Sequence, residues 1–541
     1  MATLLGSAFR LANLKGKVYW HDEAYTAMYV TGNGDAAVLS TLFDGEVKSA
    51  ADVMKTQIAT AEKGPLETAR RLATHDAQHP PLYYILCRLM LYVIPDTVLA
   101  TRLVAAIAGI LLIPATYYLS QQLFSSSLAA MLSAAIVAVS PFQYLYAQEA
   151  RQYSLWTLCV VVSSIAYLSA IRKKSRLSWC IYACALFTSL CTSLLSLLLI
   201  VSHGLHLLWY AAFFSPSPVQ RRQHNAHRLP IVQPSIQSKP VERRFLLAHF
   251  AASASISLLM FVPWLRRISA THISRTSWTA RLLPFDTMTE RWANNFTRLF
   301  FDFNLQDSAK HGAALSYQTL PKVAVISLLT YVLIWSAGRM SVSAKVFLLS
   351  LGGVTLATFV VPDLLFGGLR STVARYSIPA YLSMQIACAY CLSSQLISKR
   401  FGAWWKAITA IILVAGILSC TISLPTNRWW NKFNSNANVA IARTLNQSPH
   451  SLLISSDYNI NLGELLSISH LLTTEQSFLL FQEDKAPDIA AHLPAQFSAY
   501  PGKTFVFNLS APLKAQLAAS SSHQLTPTSS ADTLWELTTT K

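Results

Sequence analysis

Three stretches of this chain gather side chains whose types and spacing could do chemistry. The first is Tyr19-Trp20-His21-Asp22-Glu23-Ala24-Tyr25-Thr26. Adjacent carboxylates suit a general base or the oxygen ligands of a divalent metal. Taken alone, such a pair is more often solvated surface. The second is His75-Asp76-Ala77-Gln78-His79-Pro80-Pro81-Leu82-Tyr83-Tyr84. His75 and His79 are four apart, a spacing that would point two imidazoles at one metal from a helix face. Pro80 pulls the other way, because the residue before a proline is pushed out of helical geometry. The third is Ser140-Pro141-Phe142-Gln143-Tyr144-Leu145-Tyr146-Ala147-Gln148-Glu149-Ala150-Arg151-Gln152-Tyr153. Glu149 and Arg151 fall in a turn between apolar runs, where ionisable groups are costly and are functional candidates by default. A turn-fixing ion pair between them, or with neighbours, is the plainer alternative.

The elements that must hold these groups are membrane helices. The 541 residues are 53% hydrophobic and 13% charged, against about 25% charged in soluble domains. Runs long enough to cross about 30 Å of hydrocarbon recur at 98–120, 126–146, 150–171, 177–194, 195–214, 245–265, 319–337, 344–362, 376–396 and 403–424. The net charge of +18 is spread over short loops, Arg172–Arg176, Arg221-Arg222, Arg243-Arg244 and Lys399-Arg400. That dispersal excludes a nucleic-acid face and orients the basic loops toward the cytoplasm. Residues 1–97, 147–149, 265–318, 363–375 and 425–541 then share the outer side, and all three constellations fall there. The eight cysteines lie almost all in apolar runs and read as small hydrophobes.

Around this frame the chain divides into an outer loop over 1–97, a bundle of about ten spans over 98–424 and a small α/β domain over 425–541. In the last, 436–446 and 462–472 read as helices, and 452–455 and 504–509 as strands. Leu82–Pro95 is apolar but short, and reads as an interfacial helix. Residues 215–244 read as a flexible linker. The loop 265–318 interleaves Arg275, Trp278, Arg281, Trp292, Phe296, Arg298 and Phe300, a composition suited to the headgroup layer and to covering a lipid-bound substrate. Only about twenty residues precede Asp22, so an initial membrane helix is expected to be missing or a later start to have been used.

In this order, the Asp-Glu pair, the His-Pro-Pro-Leu-Tyr-Tyr stretch and the Ser-Pro-Phe…Gln-Glu-Ala-Arg-x-Tyr turn resemble the dolichyl-phosphate-mannose protein mannosyltransferase superfamily, which includes the lipid A aminoarabinose transferases. Arg375-Tyr376 at the start of a span extends the likeness, which covers about 20–425. The resemblance implies an all-α polytopic membrane protein of the GT-C type with a small extracytoplasmic α/β carboxy-terminal domain. It implies a glycosyltransferase moving a sugar from a polyprenyl-phosphate carrier to a protein, lipid or glycan, at the outer face of a bacterial plasma membrane.

By the same resemblance, Asp22 is the expected general base, with Glu23 beside it. Arg151, Arg375, Arg370 and Tyr376 are the expected binders of the donor phosphate. Glu149, His79 and Tyr153 are expected to contact the sugar or support the site. A divalent metal is possible and no cofactor is certain. A transporter or flippase of lipid-linked sugars is the alternative, but transporters place polar groups near the bilayer midplane, whereas the ionisable residues here sit at its edge.

Overall fold

A computed structural model describes residues 2–213, 240–270, 278–303, 314–398, 401–485, 500–519 and 523–539. Most of the expected linker 215–244, the pairs Arg221-Arg222 and Lys399-Arg400, and Arg275 lie outside them. Every apolar run becomes helix: Thr97–Phe124, Ser127–Val139 with Pro141–Ala147, Tyr153–Lys173, Arg176–Leu190, Leu197–Phe213, Pro240–Ala270, Ala314–Arg339, Val342–Phe366, Ile378–Leu396 and Gly402–Ser423. Among the described residues seven helices are long and apolar enough to cross a membrane, or eight if the bent pair is one span. The expectation was of about ten spans. Arg176–Leu190 has 15 residues, roughly 22 Å of helix, short of the hydrocarbon thickness. Ile378–Leu396 carries Ser383, Gln385, Ser393 and Ser394. It can do so because one wall of the bundle buries most of it.

The run 126–146, expected as one span, is bent by 58° at Ser140. Pro141 forces the bend. It holds Ser140 at φ −66°, ψ 119°, the extended geometry imposed on a residue before proline. Bending frees helix carbonyls inside the bundle, where each needs a donor. Arg10 supplies them: its Nη1 donates to the Ala138 carbonyl and its Nη2 to the Val137 carbonyl, both at 2.9 Å. Arg10 lies in a ten-residue helix, Ala2–Leu11, packed on this span.

Six strands form one sheet: β1 (Asp44–Ser49), β2 (Leu452–Ser456), β3 (Ser477–Phe481), β4 (Thr504–Phe507), β5 (His523–Pro527) and β6 (Leu534–Thr539). Their order is β1-β3-β2-β4-β6-β5. β2 pairs parallel with both β3 and β4, and every residue of β2 is buried, as a central parallel strand requires. Helices Asn438–Asn446 and Asn461–Ser469 occupy the expected helical stretches. β1 comes from the first loop and pairs antiparallel with β3, Val47 opposite Leu479. Residues 19–105 and the tail accordingly share one core, in which Tyr19, Met28, Leu72 and Tyr83 meet Leu453, Phe478 and Phe505. That joint core fixes the start of helix His21–Val30 above the bundle.

Candidate active site

Asp22 is the second residue of helix His21–Val30, where the helix dipole favours a negative charge. Its Oδ2 lies 3.9 Å from Nη1 of Arg375. Arg151 reaches the same turn from the opposite wall. Its Nη1 donates to the Asp22 carbonyl at 3.2 Å, to Thr26 Oγ1 at 3.1 Å and to the Tyr84 hydroxyl at 3.3 Å. Its Nη2 lies 2.7 Å from His79 Nε2. His79 Nδ1 lies 2.9 Å from Asp76 Oδ2. A consistent assignment has Nδ1–H donating to Asp76, which leaves Nε2 to accept from Arg151. The three constellations and Arg375, separated by hundreds of residues, therefore converge on one place.

Arg375 is held by aromatic faces rather than by close carboxylates. The rings of Tyr153, Trp278 and Tyr376 lie 5.6, 5.9 and 5.8 Å from its guanidinium carbon. Such stacking orients the plane and leaves the N–H edge free for an anion. Tyr153 also lies beneath Arg151, at 5.8 Å. Arg370, expected as a third phosphate ligand, is paired instead with Asp363 Oδ1 at 3.1 Å. The other oxygen of Asp363 accepts from the Ser371 N–H at 2.6 Å, so this pair shapes the loop leading to Arg375.

The two adjacent acids have separate fates. Glu23, expected to share catalysis with Asp22, is fully buried and points away from it. Arg102 grips it with two prongs, Nε to Oε1 at 2.8 Å and Nη2 to Oε2 at 2.7 Å. Lys432 adds a contact at 2.7 Å and the Ala150 N–H another at 2.6 Å. Arg102 in turn donates to the carbonyls of Leu14, Lys17 and Val18. Glu23 is a structural knot tying four segments. Helical geometry is the reason: neighbouring residues point about 100° apart, so two successive acids cannot share a face.

Charge sorts the carboxylates further. Burial pushes the Asp22 carboxyl up, but Arg151 and Arg375 more than offset this and hold it below the ordinary range. Burial likewise opposes ionisation of Glu23, and Arg102 and Lys432 outweigh it, leaving it at about 2. Glu149 goes the other way. Burial raises it to about 7, against the pull of Lys432 and with the repulsion of Glu23 and Asp22. Its Oε2 accepts from Asn431 Nδ2 at 2.6 Å, while Oε1 has no partner among the described residues. Two carboxyl groups in one neighbourhood are thus biased toward opposite protonation states.

His75 does not join His79. It ends helix Pro65–His75, and a Cβ on Gly34 would meet its ring at 2.8 Å. The helix stops at His75, so the four-residue spacing never becomes a helix face. Among the described residues no three His, Cys, Asp or Glu side chains converge in a way that could hold a metal. With Glu23 committed to cations and two arginines beside Asp22, the residues present do not fit a divalent metal.

Sequence reasoning overlooked Lys432, Asn431, Asp76, Tyr84 and Thr26. Thr26, Asp76 and Tyr84 lie inside the quoted motifs. Lys432 and Asn431 carry no such signal; they follow the last span by chain position alone.

Residues 78–222 match the family described as dolichyl-phosphate-mannose-protein mannosyltransferase. That segment contains His79, Tyr84, Arg102, Glu149, Arg151 and Tyr153. No curated protein matches the chain in sequence. The structure is similar to that of ArnT from Cupriavidus metallidurans bound to undecaprenyl phosphate, with 12% identity over 89% of this chain and 93% of the other, TM-score 0.48. It is similar also to the apo form of the Archaeoglobus fulgidus oligosaccharyltransferase, with 12% identity over 96% of this chain and 70% of the other, TM-score 0.47. Over residues 78–222, about a quarter of its length, the chain is similar to the dolichyl-phosphate-mannose-protein mannosyltransferases.

Proposed function

We propose that this chain transfers a sugar from a polyprenyl-phosphate carrier to an acceptor at the outer face of a bacterial plasma membrane. The observation that carries this reading is the meeting of Asp22 with Arg375 and Arg151 at one turn of helix His21–Val30. Asp22 is the general base. It takes the proton from an acceptor hydroxyl or amine, whose lone pair attacks the anomeric carbon. The bond from that carbon to the carrier's phosphate oxygen breaks, and the electron pair leaves with polyprenyl phosphate. Arg375 receives the growing negative charge on its free N–H edge, the usual source of the largest barrier reduction in such steps. Arg151, whose donors are engaged by Thr26, Tyr84 and His79, orients Asp22 and adds a second positive charge. Arg370 and Tyr376 line the approach, and Glu149 faces the sugar or holds the tail in place.

The carrier itself argues for a membrane enzyme. Each buried methylene contributes about 0.8 kcal/mol to retaining a prenyl tail in lipid, so catalytic groups must come to the headgroup level. The acceptor is a protein, a lipid or a glycan, since all three offer the required nucleophile.

The test is donor consumption by purified protein in detergent, with a panel of polyprenyl-phosphate monosaccharides and release of free polyprenyl phosphate read by mass spectrometry. Wild-type protein consumes one donor, and Asp22→Asn, still folded, does not. Undiminished turnover by Asp22→Asn removes Asp22 from the mechanism. No consumption of any donor without a sealed compartment favours the flippase reading.

A further inference from the structure

Helix Ile378–Leu396 starts three residues after Arg375 and runs for 19 residues, about 28 Å, or one hydrocarbon thickness. Its far end therefore lies about one hydrocarbon thickness from the Asp22–Arg375 contact. There it meets the end of helix Ala314–Arg339, and the two line an open groove of about 800 Å³.

The groove has an excess of donors over acceptors. Tyr331, Arg339, Gln395 and Ser398 line it, with Trp335 and Phe401 among its apolar members, and no carboxylate contributes. The Arg339 guanidinium sits 5.2 Å over the Trp335 ring, and no Asp or Glu shares the lining with it. Gln395 Nε2 donates to the Tyr331 hydroxyl at 2.6 Å, which leaves the proton of that hydroxyl to give. Tyr331 is fixed by Trp405, whose ring is stacked on it at 5.2 Å. Lys345, bonded to the Ala337 carbonyl, adds positive charge at the same helix end. Ile334, 72% exposed, and Phe401, 51% exposed, form an apolar rim.

We propose that this groove binds the phosphate headgroup of an anionic glycerophospholipid, with the acyl chains lying on the Ile334–Phe401 rim. A cation, two hydroxyls and no acid form a phosphate site. Basic pockets between membrane helices on the side of the basic loops hold anionic headgroups in this way. The flanking Trp335, Trp405, Tyr331 and Tyr390 match the aromatic belt at a membrane interface. The groove is independent of the sugar-transfer site and does not rest on it.

The test uses the full-length chain, delipidated in detergent and titrated with phosphatidylglycerol or phosphatidylcholine, with bound lipid counted by native mass spectrometry. Wild-type protein retains one more phosphatidylglycerol than Arg339→Gln, whose dissociation constant rises about tenfold or more, as for loss of a charged hydrogen bond. Tyr331→Phe keeps the ring on Trp405 and weakens the same lipid by a smaller factor. Both variants keep the wild-type melting curve. Equal retention of phosphatidylglycerol by wild type and both variants overturns the proposal, as does equal retention of phosphatidylcholine. Displacement of phosphatidylglycerol by millimolar inorganic phosphate overturns the lipid assignment in favour of a free-phosphate site.

Discussion

Replacing Glu23 by Gln keeps the length of the side chain and removes its charge. In the folded protein that charge faces two buried cations, Arg102 and Lys432, at 2.7 Å each. Neutralising it leaves both without their counterion, and breaking a buried pair from one side costs about 3–5 kcal/mol. At about 2 cal/mol/K of unfolding entropy per residue, a chain of this length moves by about 1 °C per kcal/mol, so the melting temperature falls by about 3–5 °C. The assay is thermal unfolding in detergent, followed by tryptophan fluorescence, beside the donor-consumption assay on the same preparation. Glu23→Gln melts early, and its transfer falls only in proportion to the folded fraction. Asp22→Asn shifts melting less and abolishes transfer. A Glu23→Gln protein with wild-type melting and lost transfer refutes the structural assignment and returns Glu23 to the chemistry.

Three further outcomes follow from the same geometry. Arg375→Ala raises the dissociation constant of undecaprenyl phosphate by roughly 10–100-fold, the range for loss of charged hydrogen bonds. Equal weakening of carrier and acceptor binding marks Arg375 as structural instead. For Glu149, the folded carboxyl is raised to about 7 by burial from about 4.3 unfolded. Its stabilising protonation is therefore complete below the unfolded value and lost as pH rises through the folded one. Wild-type melting falls between pH 5 and 7.5, and Glu149→Gln flattens that fall; identical slopes in both proteins rule the idea out. His79→Leu removes the acceptor of Arg151 Nη2, leaving a buried donor unmatched at a cost of about 1–3 kcal/mol. Turnover drops by about tenfold or more with little change in carrier affinity, and a drop in affinity alone contradicts the orienting role.

Hydropathy determined much by itself. A membrane helix must satisfy its backbone internally and present about twenty apolar residues to lipid, so its signature is local and repeated. The helix positions were legible for that reason. Helices and strands in the tail were legible where apolar residues recur with their own period, as at 452–456. Other features depend on partners distant in the chain. β1 becomes a strand because β3, over 400 residues later, offers an edge. Arg10 caps a bend made by Pro141, and Lys432 meets Glu23 from beyond the last span. No local pattern encodes these meetings. The same limit divided the Asp22-Glu23 pair. The sequence marks two adjacent acids as one motif, but a helix turns successive side chains about 100° apart. Packing alone decided that Asp22 faces the arginines and Glu23 faces the core.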